Sequence, residues 1–113
     1  MPVRNIYAPN LIHIGQGALQ GCALLKRINM QVIQTIDSLA MHACFSLQEV
    51  LIGTNQVATL SNVSAFQSTP IVKGKGHIYV PDDLVDSYKT ATNWSVYANQ
   101  IRPMSEYVEE VNE

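Results

Sequence analysis

Residues 14–30 of this chain recur at residues 36–52, an offset of 22. The matched pairs are Ile14/Ile36, Ala18/Ala40, Leu19/Met41, Cys22/Cys44, Leu25/Leu47, Ile28/Val50 and Met30/Ile52, with Leu24/Ser46 a looser one. Self-similarity at a fixed period limits the fold more than composition does, because each unit must bury its apolar positions against its neighbours. Upstream, Ile6, Ala8 and Leu11 align with Ile28, Met30 and Ile33. Downstream, Ala65 and Phe66 continue Ala40 and Met41 at an offset of 25, and Ile78 and Val80 continue Val50 and Ile52 at 28. The extra residues fall in the glycine-bearing stretch from Ile71 to Gly76, read as an outlooped turn. Thr69 stands where this last unit would carry cysteine.

A period of roughly 20–29 residues with one short apolar strand per unit predicts a leucine-rich-repeat solenoid. The strands are expected near Ile6, Ile28, Val50 and Ile78, parallel and stacked at about 4.8 Å. Turns or short helices are expected around Ala18-Leu19 and Ala40-Met41, where small alanines permit close approach. The pattern Ile-Gly-x-x-Ala-Leu-x-x-Cys-x-x-Leu-x-x-Ile resembles the BspA-type leucine-rich repeat. Phe66 supplies the phenylalanine common in that family at the position of Leu19 and Met41. The stretch from Gly76 to Ala98 resembles the segment that closes many such arrays. The resemblance covers about residues 6–105. It implies an α/β repeat fold: a solenoid of about four parallel strands over residues 1–80, a C-terminal helical cap over 81–105 and an acidic tail over 106–113, all one structural domain. It further implies a bacterial surface or secreted binding protein, extracellular or at the cell surface. The alternative is a phage structural or tail-associated component in the virion, assembling through its N-terminal edge.

Both ends bear on this expectation. At the C-terminal end, Pro81 stops a strand, and Asp82 or Asp83 is placed to cap a following helix. Leu84, Val85, Tyr88 and Ala91 give that helix an apolar face. Trp94, Tyr97 and Ile101 form a second apolar set before Pro103 and are read as a plug over the last unit. At the N-terminal end the repeat register begins at Ile6 with no covering segment ahead of it. Ile6, Ala8, Leu11 and Ile14 are therefore expected to expose core surface, an edge that invites pairing and that upstream repeats of a longer array, a second copy or the first residues folding over it would cover.

Composition excludes several classes. The chain has 113 residues, 7 Lys+Arg against 9 Asp+Glu, and a net charge of −2, which disfavours a phosphate-backbone binder. No apolar run approaches the length of a membrane span, and the first residues carry no signal-peptide pattern. Two cysteines are too few for a disulfide scaffold. Cys22 and Cys44 fall at equivalent repeat positions, within reach of a disulfide, but are expected as free apolar thiols. His13, His42 and His77 are scattered, and no metal-ligand spacing is present. No nucleophile–base pair is set out. Gly15-Gln16-Gly17 lacks the context of a phosphate loop. Asn62-Val63-Ser64 and Asn93-Trp94-Ser95 fit the glycosylation pattern, a pattern common by chance. The expectation is a non-enzymatic chain without cofactor or metal.

The candidate site is the outward face of the strands. Strand side chains alternate, so with Ile6, Ile28, Val50 and Ile78 inward, two columns point out. One is Asn5, Arg27, Glu49 and His77; the other is Tyr7, Asn29, Leu51 and Tyr79. Tyr7, Arg27, Asn29, Glu49, Leu51 and Tyr79 are the expected contacts to a protein or glycan partner, because tyrosine pairs an apolar body with a polar tip.

Overall fold

A computed structural model gives the fold and describes residues 3–107. Among the described residues eight strands form: β1 (Asn5–Ala8), β2 (His13–Ile14), β3 (Arg27–Met30), β4 (Thr35–Ile36), β5 (Glu49–Ile52), β6 (Thr59–Leu60), β7 (His77–Val80) and β8 (Ile101–Pro103). They make two parallel sheets, one in the order β1-β3-β5-β7-β8 and one in the order β2-β4-β6. One α-helix, α1 (Val85–Thr90), precedes a longer 3-10 segment, Trp94–Gln100. The sequence repeat sets the pairing register: Ile6 opposes Ile28, Ile28 opposes Val50, and Val50 opposes Ile78.

The core lies between the two sheets. Ile28, Met30, Val50, Ile52, Ile78 and Val80 turn inward from the five-stranded sheet, and Ile14, Ile36 and Leu60 from the three-stranded one. The connecting turns are joined by backbone bonds: Leu19 N–H donates to Ala40 C=O at 2.8 Å, and Met41 N–H to Ala65 C=O at 2.8 Å. Each turn needs left-handed backbone. Gly17 and Gly21 supply it in the first unit (φ 65° and 79°), whereas Leu39 and Ala43 carry it 22 residues later (φ 57° and 63°). Side chains there cost about 1–2 kcal/mol each. Gly76 answers a different need: a Cβ on it would lie 2.6 Å from the Gln48 carbonyl oxygen.

These features correct the expected architecture. The body measures 34 × 32 × 29 Å, a compact α/β domain and not an elongated leucine-rich-repeat solenoid of BspA type. The expectation of one strand per unit missed β2, β4 and β6, which close a second sheet. The stretch 81–105 is not a helical cap. It holds one six-residue α-helix and 3-10 turns, then returns as β8 to pair parallel with β7. Ile71 does not loop out but is buried in a 3-10 turn, Pro70–Lys73.

The end assignments change too. Neither Asp82 nor Asp83 caps a helix; Asp82 Oδ1 instead accepts from Ser105 N–H at 3.0 Å. Ile14, expected exposed, is buried, while Ile6, Ala8 and Leu11 are half-buried. Of the tail 106–113, residues 108–113 lie outside the described residues, as do Met1 and Pro2.

The aromatic residues of the C-terminal third are built into the core. The Phe66 ring packs against Trp94 (6.1 Å) and edge-on to Tyr97 (5.4 Å), and Tyr88 sits edge-on to Trp94 (5.1 Å). Each polar tip finds backbone. Trp94 Nε1–H donates to Ala58 C=O at 2.7 Å, Tyr97 O–H donates to Val63 C=O at 2.5 Å, and Tyr88 Oη accepts from Ala58 N–H at 2.9 Å. Buried aromatic hydroxyls and indoles require such partners.

Candidate functional site

The outer face of the five-stranded sheet carries every residue of the expected site. Strand alternation places Asn5, Arg27, Glu49 and His77 in one column and Tyr7, Asn29, Leu51 and Tyr79 in the next, each opposite its neighbour across the sheet. The two halves of that face differ. On β1 and β3, Tyr7 is 67% exposed, and Arg27 and Asn29 are partly open. On β5 and β7, Leu51 is only 4% exposed and Tyr79 only 9%.

The C-terminal segment accounts for the difference. Pro103 ends β8, the chain makes a 3-10 turn at Met104–Glu106, and Tyr107 returns over the sheet. Its ring stands edge-on to Tyr79 at 5.1 Å, while the Arg27 guanidinium carbon lies 5.7 Å from its centroid. Arg27 belongs to β3 and Tyr79 to β7, so the Tyr107 ring lies over the strand between them, β5. Strand spacing of about 4.8 Å makes that span natural.

Electrostatics orient the groups. Arg27 Nε donates to Glu49 Oε1 at 2.8 Å across β3 and β5. The paired guanidinium also lies over the Tyr107 ring, an arrangement in which a cation meets the negative face of the π-system. Gln31 Nε2 donates to Asn29 Oδ1 at 2.6 Å, fixing that amide. Burial, then the negative charges of Glu49 and Glu106, push the Tyr79 phenol above its ordinary range. It therefore stays a neutral hydroxyl. Beside the Tyr107 ring, Asn5, Ile6, Tyr7, Arg27 and Asn29 line an open cleft of about 370 Å³.

Sequence reasoning missed Tyr107, which it assigned to an acidic tail. Its signal was a lone aromatic among acidic residues after Pro103. It also left His77 out of the site, although the His77 and Tyr79 rings are 5.8 Å apart.

On the three-stranded sheet, Asp37 bridges His13 Nε2 (3.4 Å) and Ser61 Oγ (2.9 Å). The carboxylate sits between the other two, so the imidazole is not placed to take the serine proton. Cys22 and Cys44 are free thiols, Cys22 half-buried and Cys44 buried. Cys44 Sγ donates to Leu19 C=O at 3.1 Å, and burial pushes this thiol up to about 11, the opposite of an activated nucleophile. Asn62 Oδ1 accepts from Ser64 N–H, and Asn93 Nδ2 donates to Leu60 C=O. Both glycosylation-pattern asparagines thus hold the backbone. Among the described residues, no three His, Cys, Asp or Glu side chains gather to hold a metal, and no helix is long and apolar enough to cross a membrane. A separate apolar groove of about 430 Å³ runs between Val63, Val72, Val96 and Tyr97.

The compact two-sheet fold removes the basis for a repeat module of a bacterial surface or secreted protein, and equally for a phage assembly component. No family model, no curated protein and no solved structure matches the chain.

Proposed function

We propose that this chain is a non-catalytic domain that binds a polypeptide partner on the outer face of its five-stranded sheet. The observation that carries the reading is the cleft at Asn5, Tyr7, Arg27, Asn29 and Tyr107, where an exposed tyrosine and a second aromatic ring flank a guanidinium and two amides. Tyrosine and arginine are the residue types that dominate binding energy at interfaces. The cleft adjoins β1, which among the described residues is an edge strand with no further strand paired outside it. An extended segment can lie along such an edge and pair with it while its side chains enter the cleft.

Selection from a displayed random-peptide library, in parallel with a glycan array, tests the reading. Selected peptides are expected to lose about tenfold or more in affinity on Tyr7→Ala and on Arg27→Ala, with Val96→Ala without effect. Peptides indifferent to both changes, or binding confined to glycans, would overturn it. Light scattering across a concentration series separates a second copy from a foreign partner: a dimer broken by Tyr7→Ala would make the partner another copy of this chain.

A further inference from the structure

The outer face already holds a ligand of a kind, one the chain supplies itself. Tyr107 spans β5 between Arg27 and Tyr79, making a cation–π contact with the first and an edge-on ring contact with the second. Leu51 and Tyr79 point outward by strand alternation yet are as buried as core residues. Among the described residues, the covering segment joins no strand beyond Pro103. Ser105 N–H bonds the Asp82 carboxylate at 3.0 Å, an exposed contact, and Tyr107 N–H closes a local turn onto Met104 C=O at 3.0 Å. Such a segment packs on a finished sheet and is not woven into it. The column Tyr7, Asn29, Leu51 and Tyr79 is thus open at one end and occupied at the other.

We propose that the segment 104–107 is an internal stand-in for the partner: the face takes a polypeptide segment bearing an aromatic side chain, which displaces the Tyr107 ring from between Arg27 and Tyr79. The inference rests on the outer face being the binding surface, and it names both the partner's chemistry and the contact that competes with it. An aromatic ring fits because the site offers a cation on one side and a ring edge on the other. A tethered competitor acts at an effective concentration of the order of millimolar, so it holds back weak ligands and yields to strong ones.

The test uses the 113-residue chain and a synthetic peptide of residues 101–107, Ile-Arg-Pro-Met-Ser-Glu-Tyr. Nuclear magnetic resonance titrations follow the Leu51 and Tyr79 amides of wild type and of Tyr107→Ala. The peptide is expected to shift both amides of the variant, with an apparent affinity about tenfold or more above that for wild type. A peptide ending in alanine is expected to shift neither. No shift in a folded variant, equal titration of both proteins, or equal shifts by the alanine peptide would overturn the proposal. Unchanged Trp94 fluorescence certifies the fold. If Tyr107→Ala does not fold, Asp82→Ala, which frees Ser105, replaces it, with tighter peptide binding than wild type expected and unchanged binding contrary. Failure here with library peptides still dependent on Tyr7 removes only this inference. Success here with library peptides indifferent to both Tyr7→Ala and Arg27→Ala removes the cleft as the docking place and leaves the ring site elsewhere on the same outer face.

Discussion

Ala43 stands in left-handed backbone at the repeat position that Gly21 fills one unit earlier. Replacing its side chain with hydrogen removes a steric penalty without disturbing the Ala43 N–H bond to Gln67 C=O. Ala43→Gly is therefore expected to stabilise the fold by about 1 kcal/mol, a rise in denaturant midpoint; a fall would contradict the strain argument. The cysteines make a second residue-scale prediction. With Cys44 near 11 and buried, a thiol reagent on the native protein at pH 8 is expected to label Cys22 in the Cys44→Ala variant. It is expected to leave Cys44 unlabelled in Cys22→Ala, until pH approaches the Cys44 value or the fold opens. Rapid labelling of Cys44 at pH 8 would show that the burial is wrong. In the sequence these two residues looked alike because they share a repeat position. What separates them is neighbours: Cys44 has a turn packed on either side, while Cys22 lies toward the end of the stack beside the edge strands β1 and β2.

At the scale of elements, β1, β3, β5 and β7 of the larger sheet were legible, whereas β8 and the strands of the smaller sheet were not. Ile28, Val50 and Ile78 recur in apolar segments long enough to show period-two alternation. His13-Ile14, Thr35-Ile36 and Thr59-Leu60 are two residues each, too short for any periodicity to register. The region 81–105 misled for another reason. Its apolar spacing fits a helical cap, but only Val85–Thr90 is α-helical and the rest lies in 3-10 turns and a strand. The Tyr88 hydroxyl ties α1 to the body, and its loss in Tyr88→Phe leaves the buried Ala58 N–H without its acceptor. That change is expected to cost about 1–3 kcal/mol by chemical denaturation; a neutral result would mean that the tip bond does not anchor α1. Asp82 gives the element-scale pH dependence. The Ser105 hydroxyl and backbone N–H hold its carboxyl below the ordinary value of 3.8. A depressed carboxyl contributes above its unfolded pKa and ceases to as pH falls through the folded one. Ser105 amide exchange, relative to its intrinsic rate, is thus expected to accelerate as pH drops below 3.8, with core amides of β5 unaffected. Protection of Ser105 that does not change with acid would contradict the Asp82 bond.

For the whole molecule, the repeat fixes which residues lie side by side, but not how the chain closes. A run of 22-residue units is compatible with an extended array or with a short one that folds its remainder back. Here the last third returns as β8 and then crosses the outer face, giving a body nearly as deep as it is long. The candidate face was readable for the same reason the strands were, since alternation follows from register. Its occupation by Tyr107 was not, because a contact between a chain end and a sheet face leaves no periodic trace. The central claim is that this face, and not the apolar groove at Val63, Val72, Val96 and Tyr97, is where a partner docks. Mapping amide shift changes on binding a library-selected peptide tests it most directly. The account predicts the largest changes at Tyr7, Asn29, Leu51 and Tyr79; changes centred on Val72, Val96 and Tyr97, with the sheet face silent, would contradict it.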